Sequence, residues 1–497
     1  MHSPPHLSPH PLKYPTAQLS SMLMRIGGEE TEAASGAWLD VINPATGEVL
    51  DRVPAGGKEV VDAAVAAAEQ ASAKWAAMSP RERGKILFHA AGAIREARGE
   101  LARTLTREQG KPLPEAVDEV RGCANVLEFF ASVSGCLSGD FIRLGAAGDG
   151  IVVREPLGVC GAIVPWNMPV ILMGWKAGPA LVAGNTFVLK PSSTTPLTTL
   201  AIAGLMEKAG LPPGVLNVVT GTGETAGRAI VAHPGIRKVS FTGNTATGLA
   251  VRQAAAPLLK EVTLELGGSD PMIVWRDADL PKAVDGALHG RFYNAGQVCN
   301  AVKRVYVHEE IASRFTEELL ARVRSLKVGD GLSPSVNMGP IQNRAQLDRV
   351  AAQVDQLRER GEGRILSGGS RLRGPEHDRG FFYAPTLVTE PDPGAAILSE
   401  EVFGPVLPVM AVPDLETAIT EANRSRYGLG ASVWTRDLGV ARAVFDRVQA
   451  GVVWVNRHLT VPPEIPFGGV KESGLGRENG VQAISRWTRA KSLFLGW

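Results

Sequence analysis

One cysteine of the sequence has neighbours that suit chemistry better than packing. Cys299 lies between Gln297 and Asn300, whereas an inert thiol of a protein core usually has apolar neighbours. A nucleophilic cysteine needs donors that stabilise the anion formed by its attack and a base that activates water. Asn167 and Glu265 have side chains suited to these two tasks. Taken singly, each of the three residues also fits a purely structural role.

The region that must position these residues alternates short apolar segments with helix-like stretches. The apolar segments are 159–165, 186–190, 215–220, 238–242 and 262–266, and the helix-like stretches are 173–183, 197–209, 224–232 and 247–256. The spacing leaves room for the crossover of a dozen or more residues that a parallel strand pair needs. The pattern predicts a doubly wound α/β layer, whose ligands bind beyond the carboxyl ends of the strands.

Residues that suit a ligand stand at those carboxyl ends. Asn167 follows the first apolar segment, Lys190 closes the second and Glu265 closes the fifth. Glycine-containing turns at 221–227 and 243–248 precede helix-like stretches, a placement that lets backbone N–H groups approach a phosphate. Neither turn matches the dinucleotide or P-loop fingerprints. Each turn alone therefore indicates no more than a change of chain direction.

Composition excludes several classes of function. The chain has 497 residues, with 52 Lys and Arg against 51 Asp and Glu, so it predicts more than one domain and no nucleic-acid or anionic-membrane partner. No run of about 18 apolar residues is present that would span a bilayer. Four scattered cysteines without a CxxC pair argue against a disulfide framework and a metal site. Together these features predict a cytoplasmic protein.

The first part of the chain gives three further predictions. Residues 1–21 are rich in Pro, His and Ser and lack the apolar core of a secretory signal, so we expect a disordered N-terminal extension. A turn at 43–47 separates two short apolar runs. Residues 60–77 have the apolar spacing of an amphipathic helix. Residues 83–108 are expected to continue as helix, which Gly110-Lys111-Pro112 then breaks.

Seven motifs in a fixed order resemble the aldehyde dehydrogenase superfamily. They are Trp166-Asn167, Lys190-Pro191-Ser192, Phe241-Thr242-Gly243, Glu265-Leu266-Gly267-Gly268, Gly296-Gln297-Val298-Cys299, Glu400-Glu401-Val402-Phe403-Gly404-Pro405 and Pro466-Phe467-Gly468-Gly469-Val470-Lys471-Glu472-Ser473-Gly474. The resemblance extends from about residue 25 to residue 497. It implies a Rossmann-like doubly wound cofactor domain (22–135 and 155–266), an α/β catalytic domain (267–465) and a small β oligomerisation arm (136–154 and 480–497). A homodimer or homotetramer is the implied assembly.

The resemblance also implies a reaction. Cys299 would attack an aldehyde to form a thiohemiacetal, with its own N–H and the Asn167 amide as oxyanion donors. Hydride transfer to the nicotinamide would leave a thioester, and Glu265 would activate the water that hydrolyses it. Members that transfer the acyl group to coenzyme A typically lack this glutamate, so the implied branch is hydrolytic and the product a free carboxylic acid. Lys176 and Glu478 match positions linked to proton exit.

For the cofactor, the resemblance implies NAD or NADP. The residues expected to bind it are Trp166, Lys190, Ser193, Gly223, Gly243, Asn244, Leu266, Glu401 and Phe403. Ser193 departs from the glutamate that many NAD-preferring relatives carry there. A carboxylate at this place would repel a 2′-phosphate, so serine permits NADP without supplying a positive charge.

The expected substrate is a semialdehyde, or a broad range of aliphatic and aromatic aldehydes. The residues expected around the acyl group are Met168, Trp175, Tyr293, Val298, Asn300, Arg457 and Phe467. Succinate-semialdehyde relatives often bind a distal carboxylate with arginines that are absent here. Arg457 could bind that carboxylate in their place. The alternative is that Arg457 is a surface or interface arginine. Two other functions stay open from sequence: a catalytically silent scaffold, and an esterase that uses the same cysteine.

Overall fold

The computed structural model describes residues 22–496. The predicted disorder of residues 1–21 and the chain end at Trp497 lie outside the described residues. Within them no helix is long and apolar enough to cross a membrane.

The strands of residues 22–496 form five sheets. In chain order they are β1 (Met24–Ile26), β2 (Glu29–Thr31), β3 (Trp38–Ile42), β4 (Val49–Pro54), β5 (Asp140–Arg143), β6 (Asp149–Pro156), β7 (Val159–Ile163), β8 (Thr186–Lys190), β9 (Leu216–Val218), β10 (Lys238–Thr242), β11 (Glu261–Glu265), β12 (Asp270–Val274), β13 (Val302–His308), β14 (Arg364–Ser367), β15 (Thr386–Thr389), β16 (Val406–Val412), β17 (Tyr427–Gly428), β18 (Gly430–Trp434), β19 (Val452–Val455), β20 (Val470–Lys471), β21 (Gly474–Leu475) and β22 (Thr488–Leu495).

The helices cover both faces of the two large sheets. In chain order they are α1 (Lys58–Ala77), α2 (Pro80–Glu96), α3 (Arg98–Gln109), α4 (Leu113–Ser132), α5 (Pro169–Val182), α6 (Leu197–Lys208), α7 (Arg228–Ala232), α8 (Thr245–Ala255), α9 (Leu280–Phe292), α10 (Glu309–Arg324), α11 (Arg344–Arg360), α12 (Ala396–Ser399), α13 (Leu415–Asn423) and α14 (Leu438–Arg447).

The first large sheet confirms the predicted doubly wound layer. Its order is β2-β1-β9-β8-β7-β10-β11-β21, and the five predicted strands β7 to β11 are parallel. The first of them, β7, lies between β8 and β10, so the chain winds outward in both directions from this point. Open α/β sheets bind ligands at such a switch point. The loops that carry Asn167 and Gly243 both start there.

The sheet is buried on both faces, which explains its continuous apolar strands. Successive side chains of a strand point to opposite faces. Phe187 of β8 accordingly packs with Leu87 and Phe130 of helices α2 and α4. Its neighbour Val188 packs with Val61 of helix α1 in a second core on the other face.

The continuous helix predicted over 83–108 is wrong. The chain forms two helices, α2 and α3, which meet at Ala97. Ala97 has φ −82° and ψ 2°, which lies outside the helical region, and Gly99 in the first turn of α3 is a poor helix former. The break turns Leu101 and Leu105 into the core. Apolar periodicity alone did not reveal this change of direction.

A second large sheet follows in the chain. Its order is β14-β15-β16-β13-β12-β18-β19, and all its pairs are parallel except β14 with β15. The predicted arm forms a separate antiparallel sheet in the order β22-β6-β5. Residues 481–487 before its last strand are a 3₁₀ helix rather than part of that strand. The domain boundaries given above stay predictions.

Candidate active site

A cavity of about 990 Å³ lies between the carboxyl ends of the parallel strands β7 to β11 and the segments that lead into β12, β13, β16 and β18 of the second large sheet. All nine residues predicted to bind a cofactor line it, as do Cys299 and Asn167. Of the predicted acyl-pocket residues, those that also line it are Met168, Trp175, Tyr293, Val298 and Asn300. The structure therefore brings together, around one cavity, residues separated by more than two hundred positions in sequence.

Cys299 is held at this cavity by a turn of unusual backbone conformation. Asn294 and Ala295 have φ values of 50° and 53°, and Gly296 follows at 73°. Residues other than glycine rarely adopt this left-handed region, and strained residues of this kind cluster at functional sites. A Cβ atom on Gly296 would lie 2.3 Å from the carbonyl oxygen of Gly404, so only glycine fits there.

The Cys299 thiol is protonated in this environment. Burial raises its pKa to about 12, and the nearby ammonium of Lys303 acts in the opposite direction. A thiol with such a pKa needs help to become a nucleophile, because the thiolate is the reactive form. Of the other three cysteines, Cys123 and Cys160 are buried and Cys136 is exposed.

Asn167 is fixed by a network of buried polar groups. Its side-chain Nδ2 donates to the carbonyl of Gln297 at 3.0 Å, and its own carbonyl accepts from Asn294 Nδ2 at 3.0 Å and Lys111 Nζ at 2.9 Å. Lys111 also forms a fully buried ion pair with Glu119, at 2.5 Å. The amide is thus oriented beside the turn that carries Cys299.

Helix α4 contributes the other half of this network. The Glu119 carboxylate accepts hydrogen bonds from the backbone N–H groups of Val170 (2.8 Å) and Ile171 (3.2 Å) at the start of α5. A carboxylate there also meets the positive end of the helix dipole. Lys111 and Glu119 were missed by the sequence analysis, which took Lys111 only as part of a helix-breaking Gly-Lys-Pro stretch.

Glu265 lies at the end of β11, buried and close to the thiol. Burial, and then the charge of Glu478, raise its pKa well above the ordinary value. Glu478 is itself paired with Lys176 at 2.5 Å. Ser240 bridges that pair, since its Oγ accepts from Lys176 at 2.9 Å and donates to Glu478 at 3.0 Å. The predicted base and proton-exit residues therefore form one buried cluster, to which Ser240 is an addition.

One end of the cavity suits an adenosine and its phosphates. Lys190 is buried and donates to the Pro191 carbonyl at 2.8 Å, and burial lowers the pKa of its ammonium to about 8. Asn244 caps the start of α8 by accepting from Thr247 N–H at 2.8 Å, so the positive end of this helix faces the cavity. Half-buried Ser193 places no charge nearby.

The other end suits a nicotinamide ribose. The Glu401 carboxylate accepts from Gly268 N–H at 3.2 Å and lies 3.3 Å from Lys303 Nζ. Trp166 and Phe403 meet edge to face with ring centres 5.4 Å apart. A phosphate-binding helix end, a buried ammonium and a carboxylate for ribose hydroxyls, lining one cavity, fit a dinucleotide.

The acyl side of the cavity contains residues that were not predicted. Asp118 and His289 line it together with the predicted residues, and Leu459 and Val461 come from the segment that follows β19. Phe467 lies behind the lining residue Trp175, with its ring centre 5.1 Å from that of the tryptophan. The carboxylate of Asp118 could be noticed in the sequence only by knowing that α4 passes this cavity.

Arg457 stands apart from the large cavity. It is exposed and lines a second, smaller cavity of about 190 Å³. Val461 lines both cavities, so the arginine is a neighbour of the acyl side without facing it directly. Its binding of a substrate carboxylate stays a prediction.

No group of His, Cys, Asp and Glu side chains that could hold a metal ion is present in residues 22–496.

Comparison with known proteins gives a consistent result. The model of the aldehyde dehydrogenase family matches residues 31–493. A betaine aldehyde dehydrogenase from Brucella anthropi is 41% identical over 472 residues, which cover 95% of this chain and 96% of the relative. The crystal structure of PnpE in complex with nicotinamide adenine dinucleotide superposes with a TM-score of 0.94 at 39% identity, covering 96% of this chain and 98% of PnpE. An NADP-dependent enzyme from E. coli gives 0.93 at 39% identity, covering 96% and 99%.

Proposed function

This chain belongs to the aldehyde dehydrogenase family, and from that premise we propose that it oxidises an aldehyde to the free carboxylic acid through a thioester on Cys299. The observation that carries the proposal is one cavity lined by a thiol, an oriented amide and residues that fit a dinucleotide, with the buried carboxylate of Glu265 near enough for its charge to act on the thiol. NAD-linked and NADP-linked enzymes are both among the relatives.

Each step of the proposed reaction has a group of this chain to perform it. The Cys299 thiol gives its proton to solvent at the open cavity, the resulting thiolate attacks the carbonyl carbon, and the Asn167 amide with the Cys299 N–H stabilises the oxyanion. When bound, the dinucleotide supplies the hydride acceptor. Glu265 then takes a proton from the water that attacks the thioester. The raised pKa of Glu265 makes it a better base for that proton than an ordinary glutamate.

Two groups beside Glu265 can carry that proton away. Glu478 and Lys176 are paired in the same buried cluster, and Ser240 donates to the Glu478 oxygen that Lys176 also contacts. A proton taken up by Glu265 adds positive charge to this cluster. Release of that proton through Glu478 returns Glu265 to the form that can act as a base in the next turnover.

The test of the proposal is the absorbance rise at 340 nm when the protein is mixed with NAD or NADP and a panel of aldehydes. We expect turnover with at least one aliphatic or aromatic aldehyde. A catalytically silent scaffold would give none, and an esterase would hydrolyse an activated ester without cofactor while leaving every aldehyde unchanged.

Ser193 is proposed to permit NADP. We expect Ser193→Glu to raise the KM for NADP by about tenfold or more, because the new carboxylate would face the 2′-phosphate, while the KM for NAD stays within about threefold. Steady-state kinetics with both cofactors measures this. Ser193→Gln, which has the size of glutamate without its charge, is the control, and an equal effect of the two substitutions on the KM for NADP would contradict the proposed role.

The substrate is proposed to be a semialdehyde or one of a broad range of aldehydes, and the relative named for betaine aldehyde widens that range. Arg457 tests the first alternative. Because it is exposed and in the neighbouring cavity, we expect Arg457→Ala to raise the apparent KM for a carboxylated aldehyde only by about threefold and to leave that for a neutral aldehyde unchanged. Equal effects on both aldehydes would rule out a carboxylate anchor.

The β5–β6–β22 sheet is proposed to join copies of the chain into a homodimer or homotetramer. Phe141, Leu493 and Phe494 on this sheet are 60%, 53% and 74% exposed, and a small sheet with apolar side chains in water is a surface that needs a partner. Size-exclusion chromatography with light scattering measures the assembly.

A further inference from the structure

A buried lysine behind the Cys299 turn has no role in the reaction described so far. Lys303 stands at the start of β13 with 2% of its side chain exposed. Its Nζ donates to the carbonyl of Cys299 at 2.7 Å and to that of Val298 at 3.0 Å, and lies 3.3 Å from Glu401. A buried ammonium is costly unless it is paired and hydrogen-bonded, so these three contacts fix its place.

The contact with Val298 bears directly on the oxyanion site. The Val298 carbonyl and the Cys299 N–H belong to one peptide unit, which is planar and trans, so they point in opposite directions. Lys303 holds the carbonyl from behind, and the N–H is thereby aimed away from Lys303. Within residues 22–496 this N–H donates to no protein acceptor, which leaves it available to a ligand.

The charge of Lys303 adds to this orientation. A cation bonded to the carbonyl of an amide withdraws electron density from it and makes the N–H of the same unit a stronger donor. A neutral donor at the same place would orient the unit but would polarise it less. The contact therefore prepares the N–H for the negative charge that develops on the substrate oxygen.

We propose that Lys303 is a positioning residue that orients and polarises the Val298–Cys299 peptide as an oxyanion donor, and that its charge also favours the thiolate of Cys299. The charged groups that act on the Cys299 thiol are Lys303, Asp270, Glu401 and Glu265, and Lys303 is the cation among them. The inference rests on the proposed reaction at Cys299 only for its oxyanion part.

The first test uses the protein without cofactor or aldehyde. Iodoacetamide alkylates Cys299 at a rate proportional to its thiolate fraction, and Lys303→Met should slow that alkylation about tenfold at each pH between about 7 and 9, since the nearest cation is lost. Lys303→Arg should keep the rate within about threefold of the original. Peptide mapping by mass spectrometry assigns the label to Cys299.

The second test measures the oxyanion part. In a rapid-mixing experiment with an accepted aldehyde, Lys303→Met should reduce the rate of the first-turnover burst at 340 nm by about a hundredfold, with partial recovery in Lys303→Arg. Lys238→Met is the matched control. Lys238 is another buried lysine at the start of a strand, and its Nζ donates to the Arg486 carbonyl at 2.6 Å. Lys238→Met should keep both the alkylation rate and the burst rate within about threefold of those of the unchanged protein.

The outcomes separate this inference from its premise. Unchanged alkylation and burst rates in Lys303→Met overturn it, and so do equal losses in Lys303→Met and Lys238→Met, which would indicate a general loss of structure. Where the methionine variant does not fold, Lys303→Arg and Lys303→Gln carry the test, and equal alkylation rates of these two overturn it. A protein that oxidises no aldehyde defeats the proposed function, while the alkylation comparison still decides the effect of the charge.

Discussion

Replacing Cys299 with alanine is expected to abolish aldehyde oxidation, with kcat falling by more than about 10⁵-fold. The thiol is the proposed nucleophile, and it lines the same cavity as the residues that fit a dinucleotide and those expected around the acyl group. Without it no covalent intermediate forms, and the amide of Asn167 has no developing oxyanion to stabilise. Steady-state absorbance at 340 nm measures the loss, and intact-protein mass spectrometry after mixing with aldehyde and cofactor should show no acyl adduct.

The matched control for this variant is Cys136→Ala. Cys136 is the exposed cysteine of the chain and lies at the end of a short 3₁₀ helix that precedes strand β5. It should keep its activity and its single acyl adduct. If Cys299→Ala retained more than about a hundredth of the turnover while Cys136→Ala lost it, the nucleophile would be assigned to the wrong thiol.

The elements that carry the site could be predicted because their signals are local. Strands β7 to β11 are short apolar runs with a helix between each pair, and the parallel order follows from the length of the crossovers. Once the sheet is known, Asn167 and Glu265 must lie at the same edge, since parallel strands end together. The prediction that Cys299 is the nucleophile came from its polar neighbours and from the family resemblance.

The buried charges of the site could not be predicted, because the sequence does not distinguish a charged residue that will be buried from one that will be exposed. Lys176 and Glu478 are 302 positions apart and Lys111 and the carbonyl of Asn167 are 56 apart. Each charge is tolerated inside only because such a distant partner meets it. Lys303 was missed for the same reason, although it stands four residues from Cys299.

The surroundings of Glu265 should make the proposed hydrolysis depend on pH. Glu265 shares a buried cluster with Glu478 and one ammonium, Lys176, and the like charge of Glu478 raises the cost of ionising Glu265. The pKa of Glu265 is raised by burial first and by Glu478 second. A base whose pKa is raised gains proton affinity, but it is active only above that pKa.

Replacing Glu265 with glutamine is expected to slow release of the acid by about 10² to 10⁴-fold while leaving the first-turnover burst in place. The amide keeps the shape of the side chain but cannot take a proton from water, so the thioester on Cys299 should accumulate and be visible by mass spectrometry. Deacylation in the unchanged protein should fall as the pH drops through the raised pKa of Glu265, and this acidic limb should vanish in the variant. Glu261→Gln, at the exposed amino end of the same strand β11, should keep both the rate and the limb. Loss of the burst together with turnover would place Glu265 in thiol activation rather than in hydrolysis, because only the earlier step precedes hydride transfer.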